Sequence, residues 1–219
     1  MTTPVSHNYT PGEETAEDRF RFPRQTTLSG SLWGAMIRSN HYERAFEEYL
    51  RAIRQPYIAV DEQRRTLVDE TAGSSLKSLD FIVPGAAGCQ YLVDIKGRRF
   101  PSGERTSGGR WENWCTREDP ASLLHWESLF GPGYRGLLVF AYDVWTPRAA
   151  LEFDELFEWR GHQYAFVGIA ADDYDRLDRQ RSPKWQTVSL PGRLFRGFAR
   201  PFRDWLTPPD VVTPASDCA

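Results

Sequence analysis

Tyr91-Leu92-Val93-Asp94-Ile95-Lys96-Gly97 is an apolar, strand-like run that carries an acid and a lysine two positions apart. Side chains of a strand alternate between its faces, so Asp94 and Lys96 leave one face together while Val93 and Ile95 leave the other. Upstream, residues 76–83 read as a second strand with one acid, Asp80, and the turn from Gly85 to Gly88 suits a hairpin between the two. If the strands pair, Asp80 and Asp94 converge where a hard divalent cation would find oxygen ligands, with Lys96 beside them to hold or polarise a water. A salt bridge on a half-exposed strand is the plainer reading of the same residues. Against it stands the lysine itself. The chain has 3 lysines and 24 arginines, and a lysine kept inside a core strand offers a compact, tunable charge that a guanidinium cannot.

A third acid is expected from a helix ahead of these strands. Residues 40–54 place apolar side chains at 42, 45, 46, 49, 50 and 53, the spacing of an amphipathic helix. At about 100° per residue, Glu43 borders that stripe next to Leu50, and Glu47 lies farther toward solvent. Glu43 is the candidate and Glu47 the alternative helical acid. With Asn40 as N-cap, Glu43 also occupies the position of a capping-box glutamate, and the two roles are compatible.

Asp80 with Asp94-Ile95-Lys96 resembles the signature of the PD-(D/E)xK nuclease superfamily, the restriction-endonuclease-like fold, although Leu79 stands where that motif often has proline. The helix with its Glu ahead of a core Leu is similar to the opening helix of Holliday-junction-resolvase-type members. The resemblance implies an α/β fold with an αβββαβ core, a central mixed sheet flanked by helices, here followed by a C-terminal hairpin and helix extension. It implies Glu43, Asp80, Asp94 and Lys96 as catalytic residues. It also implies Mg²⁺ or Mn²⁺ held by Asp80, Asp94, the Ile95 carbonyl and Glu43. The expected activity is phosphodiester cleavage in nucleic acid, DNA above all, and resolvase-type relatives imply a homodimer. The alternative is a catalytically silent nucleic-acid- or protein-binding module on the same fold.

The remaining elements follow the expected order. Strands are expected at 57–61, 77–83, 90–97 and 136–144, a helix at 120–130 capped by Asp119 with Pro120 in its first turn, and a hairpin at 156–169. A short helix near 172–179 and an amphipathic segment at 192–204 complete the chain. Gly136 to Tyr142 is almost wholly apolar, as a central strand covered on both faces would be. Arg98 and Arg99, then Arg105 and Arg110 in a Gly/Ser-rich loop, are candidate nucleic-acid-binding residues, with Trp111 and Trp114 next to them for base stacking. The same loop would equally serve as an ordinary solvated connection. Arg193, Arg196, Arg200 and Arg203 either extend a basic surface or line the solvent side of a helix.

With 219 residues, 40% of them hydrophobic, the chain can bury a full core. The expected partition is a flexible segment 1–30, one nuclease-like domain 31–206 and a flexible tail 207–219. A formal charge of −3 argues against indiscriminate coating of DNA but permits a local basic groove. Cys89, Cys115 and Cys218 lack zinc spacing and are too few for a disulfide scaffold, so a reduced, cytoplasmic setting without membrane insertion is expected. The four histidines form no H-E-x-x-H pair, and neither a Walker pattern nor a G-x-S-x-G elbow occurs.

Overall fold

A computed structural model describes residues 41–60, 76–101 and 111–207. The segment expected to be flexible, 1–30, and the tail 207–219, apart from Thr207, lie outside the described residues, as do Asn40, Arg105 and Arg110. The first helix, α1 (His41–Ala52), buries Ala45, Phe46, Tyr49 and Leu50, the stripe expected from its periodicity. It stops short of residue 54 because Arg54 adopts a left-handed conformation with φ 56°. The N–H groups of Arg54 and Gln55 then donate back to the carbonyls of Arg51 and Leu50 at 3.0 and 2.9 Å, a Schellman ending with Pro56 just beyond it.

In chain order there follow β1 (Ile58–Ala59), β2 (Phe81–Pro84), β3 (Gln90–Phe100), β4 (Cys115–Thr116), α2 (Glu118–Phe130), β5 (Tyr134–Val144) and α3 (Pro147–Ala150). Then come β6 (Phe157–Trp159), β7 (His162–Ala170), α4 (Ala171–Leu177), β8 (Arg179–Ser182), β9 (Thr187–Ser189), α5 (Gly192–Phe198), β10 (Arg200–Pro201) and α6 (Arg203–Leu206). The expected α-β-β-β-α-β order is present as α1, β1, β2, β3, α2 and β5. The main sheet runs β1-β2-β3-β5-β7-β10, with β6 added on β7. Among the described residues only β3 and β5 pair in parallel, from Gln90↔Tyr134 to Phe100↔Val144, and α2 lies on the crossover between them. That long parallel register carries β3 three residues beyond its expected end.

The protein is therefore a mixed α/β fold with a central mixed sheet between helices. One face of β3 and β5 packs Val93, Ile95, Val139 and Ala141 against Phe46, Tyr49 and Leu50 of α1. The other face packs Leu92, Leu138, Phe140 and Tyr142 with Leu123, Tyr174 and Phe195. Covered on both sides, β5 is fully buried from Leu137 to Tyr142, as its unbroken apolar sequence requires. The hairpin of β6 and β7 turns on Arg160 and Gly161, both at positive φ (52° and 76°), the backbone that a two-residue type I′ turn needs.

Several sequence expectations are corrected. Strand β2 begins at Phe81 and not at residue 77, and Lys77 is instead held by α2. The Trp126 indole donates to the Lys77 carbonyl at 2.8 Å, and the Lys77 N–H donates to Ser122 Oγ at 3.3 Å. The segment 192–204 is not one helix: Pro201 ends it, and Arg200–Pro201 instead pairs with Val167–Gly168 at the sheet edge. A second sheet, β4-β9-β8, went unread because its strands are two to four residues long and β8, Arg-Gln-Arg-Ser, has no apolar alternation. No helix among the described residues is long and apolar enough to cross a membrane.

Candidate active site

The pairing of β2 with β3 ends with Phe81 set against Val93, and Asp80, the residue before it, lies near enough to Asp94 for the two charges to oppose each other. Asp80 still donates its N–H to the Val93 carbonyl at 2.8 Å, but there the ladder ends. The next donor on β3, the Ile95 N–H, is taken by the Asp80 carboxylate itself, 2.6 Å to Oδ2. Successive residues of a strand turn their polar groups to alternate sides, so the Ile95 carbonyl faces the same side as that N–H. Asp80, Asp94 and the Ile95 carbonyl thus meet where β2 gives out.

Bringing two carboxylates together costs stability, and taking them out of water compounds the cost. Burial, then the Asp94 charge and then the Glu43 charge push the Asp80 carboxyl up to about 8. The Ile95 N–H and Lys96 pull the other way without cancelling them. Glu43 reaches this neighbourhood because α1 lies close on β3: a Cβ at Gly97 would overlap the ring of Tyr42, the residue before Glu43. Glu47 is engaged elsewhere, accepting from Arg51 at 2.6 Å and from the Tyr57 hydroxyl at 2.7 Å.

Lys96 projects from the same face of β3 as Asp94. Its ammonium lies 2.8 Å from Asp94 Oδ2 and 3.2 Å from Asp119 Oδ1. Burial works to lower the lysine's affinity for its proton, but the two carboxylates outweigh it and hold Lys96 above the ordinary lysine range. Asp94 is raised, burial outweighing the attraction of Lys96.

Asp119 and Lys77 are the members of this site that sequence reasoning missed. Asp119 was expected to cap α2; the helix instead begins at Glu118, and Asp119 is buried. Its Oδ2 accepts the Thr116 N–H at 2.6 Å, and its Oδ1 faces Lys77 Nζ at 2.8 Å as well as Lys96. Although burial pushes this carboxyl up, Lys96, Lys77 and Thr116 together hold it below its ordinary value. Lys77 is anchored in turn by Thr116 Oγ1 at 2.5 Å. Two of the chain's three lysines therefore meet on one aspartate. The scarcity that singled out Lys96 was an equal signal for Lys77.

Four carboxylates, Glu43, Asp80, Asp94 and Asp119, share this region with the two ammonium groups of Lys77 and Lys96. Among the described residues no three His, Cys, Asp or Glu side chains are gathered into a ready-made metal cage. The donors present nonetheless fit Mg²⁺ or Mn²⁺, which take oxygen ligands; Mg²⁺ commonly binds through one or two carboxylates and keeps its waters. The local excess of negative charge is what such an ion would offset.

The surplus has a consequence for stability. Asp80 has a higher pKa folded than unfolded, so the folded protein binds the extra proton between its ordinary value of about 4 and its folded value near 8. In chelator, stability should fall as pH rises through that window, by on the order of a few kcal/mol. Asp80→Asn should flatten the slope. Thermal melts from pH 4.5 to 8.5 check this, and an unchanged slope in the variant would place the proton elsewhere.

The arginine candidates divide. Arg98 turns inward, donating to the Gly97 carbonyl at 2.6 Å and to the Trp114 carbonyl, with its guanidinium 4.0 Å from the centre of the Trp114 ring. Arg99 is exposed and lies 4.0 Å over the Trp145 ring. Trp111 packs among Phe100, Tyr142 and Phe153, which makes it a core aromatic. Cys89 and Cys115 are free thiols.

No family model matches the chain, and no curated protein matches it. Among solved structures it is similar to Hjc, a Holliday junction resolvase of Archaeoglobus fulgidus, at 13% identity over 73% of this chain and 93% of that one, with a TM-score of 0.42. At that score the likeness is too loose to align the two sites, and the functional reading rests on the side chains alone.

Proposed function

We propose that the protein is a divalent-cation-dependent phosphodiesterase acting on nucleic acid, with DNA as its substrate. The observation that carries the reading is the nearness of the Asp80 and Asp94 carboxylates where β2 begins beside β3, with Lys96 2.8 Å from Asp94 on the same strand. A sheet gains nothing from mutually repelling carboxylates; a phosphoryl-transfer site does. In this reading Asp80, Asp94 and the Ile95 carbonyl hold Mg²⁺ or Mn²⁺, and Glu43 adds a direct or water-mediated ligand. The ion, when bound, supplies Lewis-acid stabilisation of the charge that develops on the phosphoryl oxygens. Lys96 orients the attacking water and offsets the same charge from the side of the protein. Asp119 is a positioning residue, keeping Lys96 protonated and aimed, and Lys77 keeps Asp119 ionised.

The two helical acids test the arrangement. Wild-type protein should cleave DNA in Mg²⁺ or Mn²⁺, and Glu43→Gln should lower the rate by about 10- to 100-fold, the usual cost of losing a supporting group at a metal. Glu47→Gln touches only the Arg51 ion pair and the Tyr57 hydrogen bond, outside the site, and should stay within about twofold of wild type. Gln is tolerated at both helical positions, so melting temperatures should hardly move. Greater damage from Glu47→Gln would mean that the wrong helical acid serves the site.

One observation favours a second reading, the catalytically silent binding module. Lys96 is fastened between Asp94 and Asp119, an internal network that also satisfies its members without any ion. A wild-type protein that binds DNA yet cleaves no linear, branched or single-stranded form would select that reading.

A further inference from the structure

The small sheet and α5 line an open cavity of about 360 Å³ that the proposed chemistry does not use. Its walls include Trp114, Arg181, Arg193, Arg196 and Glu112. Glu112 is 3.9 Å from Arg181; among the described residues Arg193 and Arg196 pair with no carboxylate. In a chain of net charge −3 this is a local concentration of guanidinium groups with one acid among them. The floor is rigid. Asn113, which is buried, holds both the N–H (2.9 Å) and the carbonyl (3.1 Å) of Leu190, and the Tyr174 hydroxyl donates to the Asn113 carbonyl at 2.6 Å. A fixed frame carrying planar, multiply donating cations is suited to phosphate oxygens.

The cavity also stands in a defined relation to the carboxylates. Asp94, Lys96 and Arg98 leave β3 on one face, and Arg98 ends on Trp114, a wall of the cavity. At about 3.3 Å per residue Arg98 lies ~13 Å along the strand from Asp94. A volume of 360 Å³ is that of a small-molecule pocket and admits no duplex.

We infer that this cavity binds one unpaired nucleotide of the substrate strand, its phosphate held by Arg181, Arg193 and Arg196. The substrate class is then DNA with a single-stranded portion next to the cleavage point. This rests on the nuclease reading only for what happens at the carboxylates. The same phosphate chemistry is offered by an unpaired nucleotide within a strand and by a phosphorylated strand end.

The test is binding by fluorescence anisotropy in chelator, using full-length Asp94→Asn protein and labelled DNA of three kinds. These are a blunt duplex, a duplex with a single-stranded overhang ending in hydroxyl, and the same overhang ending in phosphate. Arg193→Gln/Arg196→Gln, both at exposed positions, should weaken overhang binding about tenfold or more, because hydrogen bonds to charged groups are the strong ones. The salt dependence of log K should become shallower by up to about 0.7, the share of the one single-strand phosphate these arginines hold. Blunt-duplex binding should be unchanged. A loss confined to the phosphorylated overhang assigns the cavity to strand ends; a loss on both overhangs assigns it to interior nucleotides, and either supports the cavity as a nucleotide site. Equal losses on all three DNAs, no loss, or no DNA binding by the parent protein would overturn it. Cleavage by wild-type protein is scored separately. Overhang-selective binding without cleavage keeps this inference and sinks the nuclease reading, whereas cleavage indifferent to both arginines does the reverse.

Discussion

Asp94→Asn should lose at least about a thousandfold of Mg²⁺-dependent cleavage, the ~4 kcal/mol that removal of a metal-holding charge takes from the transition state. The same variant should melt at or slightly above the wild-type temperature. Asp94 is one of four carboxylates facing two lysines, and its own carboxyl is raised by burial, so neutralising it relieves repulsion on Asp80. Lys96 retains Asp119 at 3.2 Å. Lost activity with retained or increased stability is the signature of a residue kept for chemistry. If Asp94→Asn unfolds the protein, Asp94 is a structural partner of Lys96; if it cleaves like wild type, the carboxylates are not the reacting centre.

Lys96→Met should act in the opposite sense on stability. Removing one partner of a buried ion pair leaves uncompensated charge, a cost of about 3 to 5 kcal/mol, and Lys96 is shared by two buried acids. For a domain of this size that corresponds to roughly a 10 °C drop in melting temperature near neutral pH. Without the ammonium, the Asp94 carboxyl rises further above its unfolded value and Asp119 loses the strongest of the charges that hold it below its own, so the variant loses stability as pH climbs from about 4. The deficit against wild type should therefore shrink at acid pH. Melting curves at pH 5 and pH 7.5 decide it, and a deficit independent of pH would mean that the methionine merely packs badly.

The strand carrying Asp94 and Lys96, the buried stripe of α1 and the wholly apolar β5 could be read directly, since each depends on local periodicity and on burial that the periodicity itself expresses. The neighbourhood of Asp80 and Asp94 was likewise legible, because two strands joined by a short turn bring those segments side by side. What escaped were contacts made across the fold. Asp119 has the sequence context of a helix cap, and only the arrival of Lys77 and Lys96 from distant segments makes it a buried anion. Residues 77–80 have the composition of a strand, yet Lys77 is held on α2, its carbonyl accepting from the Trp126 indole and its N–H donating to Ser122. Arg98 looked like one more basic residue in a basic run. Alternation along β3 aims it at Trp114 while Arg99, one position on, faces solvent.

The most direct measurement is titration of the wild-type protein with Mn²⁺ in the absence of DNA, read by electron paramagnetic resonance, alongside Asp80→Asn and Asp94→Asn. The proposed site requires the wild type to take up Mn²⁺, with each variant binding it at least about tenfold more weakly. Uptake that is indifferent to both substitutions, or no uptake by the wild type, would contradict a metal centre at the end of β2.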